Sequence, residues 1–220
     1  MFIEIANVLS AEILKRTRAR IDELAFQDGR ATAGWNARLV KNNEQATDGS
    51  EALTALREEL SRSILANPVF QLAARPKALT PLIIARYGAG QSYGSHVDDA
   101  LMSGMRTDVS FTLFLSSPEE YEGGELVIET AQGEELIKPS AGSLFAYPAT
   151  TLHRVNPVQD GTRAVAVGWA RSFVRSAEER EILFDLDTAR RLLFQKTGKS
   201  QEVDLLSKAT SNLLRRWIDD

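Results

Sequence analysis

The chain has 220 residues, 26 Lys and Arg against 30 Asp and Glu for a formal net charge of −4, and no cysteine. The lack of thiols excludes disulfide scaffolds, zinc ribbons, iron–sulfur clusters and cysteine nucleophiles, and a chain of this length holds a core without a structural metal, so any metal would serve chemistry. The mild acidity without a Lys/Arg block argues against nucleic acid as a partner, while the absence of a signal-like start and of any ~20-residue apolar run argues against a membrane and for a cytoplasmic location.

Residues 10–25 place Ile13, Leu14, Thr17, Ile21 and Leu24 at helical spacing behind Ser10, which predicts an amphipathic helix. Residues 50–66 repeat the pattern with Leu53, Leu56, Leu60 and Ile64, and Asn67-Pro68 ends the run. Residues 29–46 between them read as short strands with turns. From about 80 to 173 the texture is seven or eight short β-rich runs bounded by Gly, Pro and Asp, which predicts a sandwich or barrel of antiparallel sheets. Within it Asp108, Ser110, Thr112 and Phe114 alternate with Val109, Phe111, Leu113 and Leu115, so one face of that strand is packed and the other lines something more polar. Ser176 and Glu179 read as a capping box for a helix that stops at Gly198, and a last helix runs from about 200 to 218. The apolar faces of these two helices cover a sheet face or a partner subunit, and the second option would make the chain a homodimer through its C-terminal helices.

His96 and His153 are the only two histidines. In GSHVDD, His96 and Asp98 stand at i and i+2, a spacing that projects both from one face of an extended strand. His153 follows 57 residues later in TTLHRV, far enough to return on a neighbouring strand. Two imidazoles and a carboxylate make the facial triad of non-haem Fe(II) oxygenases, with adjacent positions left for co-substrate and O2. Asp98 fills the carboxylate position, which disfavours halogenation. Arg163, ten residues past His153, opens the strand TRAVAVGWA. Such an oxygenase needs two further electrons, which 2-oxoglutarate supplies when its distal carboxylate is held, and a guanidinium fork suits that carboxylate.

RYGAGQSYGSHVD, RTDVSFTLFLSSPEEYEGGELVIE, AGSLFAYPATTLHRV and GTRAVAVGWARS resemble the core of the Fe(II)/2-oxoglutarate-dependent dioxygenases of prolyl-hydroxylase type. FIEIANVLS, DGRATAGWNARLVKNN, LFDLD and the terminal LLRRW extend the resemblance, over nearly the whole chain, to the bacterial PKHD-type (prolyl/lysyl hydroxylase domain) hydroxylases. The resemblance implies a mainly β core folded as a double-stranded β-helix, or jelly roll, with N-terminal helices packed on the sheet and a C-terminal helical appendage. It implies Fe(II), 2-oxoglutarate and O2, with L-ascorbate as reductant. His96, Asp98 and His153 match the metal ligands, Arg163 the anchor of the distal carboxylate of 2-oxoglutarate, Tyr87 a tyrosine that contacts 2-oxoglutarate, and Trp169 an aromatic near the iron. Phe114 departs from the pattern where relatives carry a tyrosine donor, which leaves Ser110 and Thr112, on the same strand face, as replacements. Tyr93 flanks the metal strand and is read as lining the mouth, with Tyr147 as its counterpart and packing as the competing role for both.

These expectations divide the chain into supporting helices and strands (1–76), the dioxygenase jelly roll (77–173) and a C-terminal helical segment (174–220). The expected activity is oxidative decarboxylation of 2-oxoglutarate to succinate and CO2, coupled to hydroxylation of a peptidyl or small-molecule substrate. Peptidyl proline or lysine, a free amino acid and a siderophore-like metabolite all stay open. The competing reading is a cupin-like sensor that binds metal and 2-oxoglutarate without turnover, and the discriminator is decarboxylation.

Overall fold

The computed structural model describes residues 1–219 apart from Asp48 and Ser103. Helix α1 (Ala11–Asp22) starts where the Ser10 hydroxyl accepts from Ile13 N, and α2 (Glu51–Ala66) where Ser50 accepts from Leu53 N. Leu53, Leu56, Leu60 and Ile64 are fully buried, as their spacing predicts. Asn67-Pro68 ends α2 but also opens a third helix, α3 (Pro68–Ala74), absent from the sequence expectation. The Asn67 side chain accepts from Val69 N and Phe70 N while Pro68 takes the first helical position, so one dipeptide serves as stop and start signal at once.

The β region forms two facing antiparallel sheets. The major sheet runs in the order Ile3–Ile5, Leu144–Pro148, Val109–Phe114, Arg163–Ser172, Ile83–Tyr87, Glu44–Ala46, Phe26–Asp28, with Pro76–Leu79 also pairing against Arg163–Ser172. The minor sheet runs Gly133–Ile137, Leu126–Thr130, His153–Val155, Ser92–His96, Lys41–Asn42. This is the double-stranded β-helix expected, with more strands than the seven or eight read from sequence. The extra ones include two ribbons, Leu101–Met102 with Met105–Arg106 and Tyr121–Gly123 with Val158–Gly161, whose strands of two to four residues are too short to show alternation. The segment before residue 76 contributes strands to both sheets.

Period-two alternation separates two cores. Phe111 and Leu113 pack outward with Ile84, Ala166 and the apolar faces of α2 and α3. Phe114, Ala85, Tyr87 and Val165 point inward and meet Leu126, Ile128 and Val155 of the minor sheet. A short glycine contact places the edge of the minor sheet: a Cβ on Gly94 would lie 2.7 Å from Val40 Cβ, and Gly94 N donates to Val40 O at 2.9 Å. Without a side chain at 94, the Lys41–Asn42 strand can lie beside Ser92–His96.

Helices α4 (Ala177–Thr197) and α5 (Gln201–Trp217) follow, and Gly198 at φ 66° breaks between them as expected. The Ser176 capping box is only half made. Ser176 Oγ accepts from Glu179 N and its hydroxyl donates to Glu178, but among the described residues Ser176 N does not donate to the Glu179 carboxylate, the bond that would close the box. The two helices also cover less than their apolar faces suggest. The buried residues of α4 are Arg180, Leu183 and Asp187, while Ile182 and Leu192 stay exposed. Polar contacts dock the helix: Asp187 pairs with Arg75 at 2.5 Å and Arg190 at 2.6 Å, and Arg180 donates to Val174 O, Arg175 O and Asp108 O. Beyond α5, Asp219 N donates to Phe173 O and its carboxylate pairs with Arg106 at 2.7 Å. Among the described residues no helix is long and apolar enough to cross a membrane.

Candidate metal centre

His96 ends its strand, Asp98 follows two residues later, and His153 opens the neighbouring strand in direct register with His96. The antiparallel ladder therefore brings residues 57 apart in sequence to imidazole centroids 4.3 Å apart, with His153 Nε2 3.9 Å from Asp98 Oδ1. One donor atom from each of the three lies within 4.8 Å of the others. Nδ1 of His96 is 2.8 Å from Gly94 O and Nδ1 of His153 is 3.0 Å from Thr151 O. Nδ1 thus carries the proton in each ring, and the Nε2 lone pairs converge on the carboxylate. Burial, reinforced by His153, pushes the His96 pKa below its ordinary value and keeps that ring neutral, as a metal ligand must be. Asp98 is oriented by Ser110, whose hydroxyl donates to Oδ2 at 2.5 Å. The donor set, its tautomers and its burial fit a divalent metal with an open face.

The triad opens into a cavity of about 150 Å³, and Arg163 also lines it. Arg163 is 1% exposed, lies opposite Tyr87 in the strand register, and its guanidinium stands 5.1 Å from the Tyr87 ring and 5.3 Å from the Phe114 ring. No carboxylate pairs with it among the described residues, and its Nε is buried without a hydrogen-bond partner. Burial lowers its pKa, opposed by Tyr87, Tyr121 and Tyr147. Those three phenols are themselves held protonated by burial, so none is a counter-anion. A buried guanidinium without an anion is costly in the empty protein and fits an anionic ligand.

The remaining expected residues fall in different places. Tyr87, Thr112, Trp169 and Tyr93 all line the cavity. Tyr93 does so while stacked on His96, with centroids 3.7 Å apart, and Trp169 Nε1 is buried without a partner. Ser110 is not brought to the arginine: its hydroxyl is committed to Asp98. Tyr147 packs edge-on against His153 at 5.1 Å. Sequence reasoning did not single out Tyr121, whose buried hydroxyl lies beside Arg163. The turn that places it requires Gly124, at φ 66°, where a Cβ would press on Tyr121, Val158 and Arg163. Thr32, Lys41, Asn43 and Gln45, from the segment read as strands and turns, form another wall.

The profile of the 2OG-Fe(II) oxygenase superfamily matches residues 82–171, and that of the PKHD-type hydroxylase C-terminal domain matches residues 178–219. A PKHD-type hydroxylase of Picosynechococcus sp. is 52% identical over 219 residues, covering 100% of both chains, and one of Acaryochloris marina is 49% identical with the same coverage. The chain belongs to the PKHD-type hydroxylases. Among solved structures, a Pseudomonas putida prolyl-4-hydroxylase superposes with TM-score 0.54 at 23% identity, covering 78% of this chain and 92% of its own. A Trichoplax adhaerens prolyl hydroxylase in complex with a hypoxia inducible factor peptide gives TM-score 0.55 at 17% identity, covering 83% and 86%. Both show the shared fold. As a PKHD-type hydroxylase the chain is an Fe(II)- and 2-oxoglutarate-dependent dioxygenase, an enzyme that uses O2 to oxidise a substrate partner.

Proposed function

We propose that His96, Asp98 and His153 hold the Fe(II) and that Arg163 anchors the distal carboxylate of 2-oxoglutarate. The observation that carries this reading is the buried guanidinium without an anion, in the same cavity as three convergent metal donors. Bound Fe(II), with 2-oxoglutarate and O2, supplies the oxidising chemistry: 2-oxoglutarate leaves as succinate and CO2, and one oxygen atom enters a substrate C–H bond as a hydroxyl. The side chains bind, orient and shield. Ser110 holds the Asp98 carboxylate toward the imidazoles. The Gly94 and Thr151 carbonyls hold the two Nδ1 protons and so the ring orientations. Tyr87 and Tyr121 present protonated hydroxyls beside Arg163, where they can donate to the same carboxylate, and this takes the place of the donor missing at Phe114. Thr112 lines the same cavity as the arginine and the metal donors. Trp169 and Tyr93 are assigned to the substrate side.

The substrate is a small molecule or a peptidyl side chain. The prolyl hydroxylases that share the fold favour peptidyl proline among the residues to be screened first. Ascorbate serves as reductant, the setting is cytoplasmic, and nucleic acid has no role. The divisions at 76/77 and 173/174 belong to the same reading, and exposed Ile182, Leu192, Phe194 and Leu205 on α4 and α5 are the surface for a homodimer, which sedimentation velocity tests.

Anaerobic reconstitution with Fe(II) and 2-oxoglutarate tests the site. A weak visible charge-transfer band is expected in the wild type, with far more 2-oxoglutarate needed in Arg163→Ala. An iron-loaded wild type without the band would favour a sensor that does not chelate 2-oxoglutarate at the metal.

A further inference from the structure

Lys41 is 7% exposed, lines the cavity, and has no ion pair among the described residues. Its ammonium lies 5.1 Å over the Tyr93 ring, which stacks in turn on His96, so one aromatic ring separates it from a metal donor. Its one hydrogen bond goes to a neutral oxygen, Thr32 Oγ1 at 3.2 Å, and the Thr32 hydroxyl is itself 2.6 Å from Gln45 Oε1. The Thr32 proton goes to Gln45, which leaves a lone pair for Lys41 and the Gln45 amide nitrogen uncommitted. Two carboxylates lie within electrostatic reach. Asp98 belongs to the metal donors and is held by Ser110, while Asp28 is largely exposed and pairs with Arg30 at 3.4 Å. Burial outweighs both and brings the Lys41 pKa down to about 8.

In the loaded site, Asp98 and the 2-oxoglutarate dianion together match Fe(II) and Arg163. Lys41 is then the other cation lining the cavity, on a wall built from residues 32–45; Asp99 also lines the cavity, but the carboxylates whose charge acts on Lys41 are Asp98 and Asp28. A single ammonium flanked by a hydroxyl and an amide fits a monovalent carboxylate; a phosphoryl group carries more charge than these groups offset.

We propose that Lys41 is a specificity-determining residue that binds a carboxylate of the substrate, so that the C–H bond oxidised belongs to an acid and not to a neutral side chain. This rests on the assignment of the metal and 2-oxoglutarate sites above. It also separates the two open substrate classes. A free amino or other carboxylic acid, or a C-terminal residue, satisfies Lys41, and an internal prolyl or lysyl residue does not.

The test uses full-length protein loaded with Zn(II), which accepts the same donors but cannot turn over, together with 2-oxoglutarate. Butanoate and butanamide, nearly equal in shape and different in charge, are titrated by saturation-transfer NMR. Butanoate is expected to bind at least about tenfold more tightly, the preference to vanish in Lys41→Met and to persist in Lys41→Arg, and 2-oxoglutarate affinity in Lys41→Met to stay within about twofold of wild type. If Lys41→Met fails to fold by circular dichroism, Lys41→Gln takes its place. Equal binding of the two probes to wild type, or a butanoate preference that survives loss of the ammonium, overturns the proposal. So does a loss of 2-oxoglutarate as large as that in Arg163→Ala, which would put Lys41 in the co-substrate site. The underlying assignment fails differently: wild type would not bind 2-oxoglutarate, or Arg163→Ala would bind it equally well.

Discussion

In the proposed assignment Arg163 costs the empty protein stability and would gain it back when 2-oxoglutarate arrives, because a guanidinium at 1% exposure is desolvated with no anion to offset it. Arg163→Met should therefore melt above wild type without ligand and lose most of the rise that 2-oxoglutarate gives the metal-loaded wild type. A scanning calorimetry pair with and without 2-oxoglutarate shows both signs, and equal ligand-induced shifts would count against the anchor. Calorimetric titration of Arg163→Ala should show 2-oxoglutarate affinity about 100-fold weaker, the scale of removing one partner from a buried charged pair. Ser110 makes a subtler claim. Among the described residues its hydroxyl bonds only to Asp98, so Ser110→Ala should keep the wild-type melting temperature to within a few degrees and lose about 10- to 100-fold in metal affinity, read by chelator competition. His96, Asp98, His153 and Arg163 were legible because each is marked by spacing within a few residues of a motif. The partner of Ser110 was not: alternation states only that the side chain faces inward. Which neighbour it meets depends on where the loop after His96 turns.

At the scale of elements, alternation in Val109–Phe114 and the apolar face of α2 (Leu53, Leu56, Leu60 and Ile64) were read correctly because each burial pattern is written along one continuous segment. Helix α3 and the docking of α4 were not. Asn67-Pro68 carries two signals at one place, and α4 buries two charged residues instead of its apolar stripe, a pattern no periodicity rule predicts. The Asp187 side chain is 5% exposed between Arg75 and Arg190. Asp187→Ala leaves Arg75, 11% exposed, without a carboxylate and should cost about 3 kcal/mol in urea unfolding of the full chain. A loss below 1 kcal/mol would mean that α4 docks by its apolar contacts after all. Ser176→Ala should cost about 1 kcal/mol, the ordinary value of a helix cap.

For the molecule as a whole, the cavity joins groups from both sheets and from the segment before α2, and its charges make stability depend on pH and loading. Folding lowers the Lys41 pKa from 10.5 to about 8. Between those values the unfolded chain holds a proton that the folded chain has released, so the contribution of Lys41 to stability rises with pH across that window, and its full penalty is present below pH 8. The metal-free Lys41→Met variant should thus melt above wild type at pH 7.5, with the gap closing by pH 10. A gap constant with pH would show that the ammonium is not desolvated. Metal and 2-oxoglutarate bind only the folded chain and should raise its melting temperature together, with EDTA removing the rise.

By itself the sequence marked an antiparallel sandwich or barrel, which the family resemblance narrowed to the β-helix, and picked out His96, Asp98, His153 and Arg163 as site candidates, because strand phase, HxD spacing and strand-opening position are local properties that survive without knowledge of the fold. Tertiary structure alone decided the rest. The ladder set His153 opposite His96, Gly94 admitted the Lys41 strand to the edge of the minor sheet, and burial turned Lys41 and Arg163 from two of 26 basic residues into the two cations of one cavity. Whether a charge is a solvated surface group or a binding determinant depends on what surrounds it in space, and segments far apart in the chain supply those surroundings.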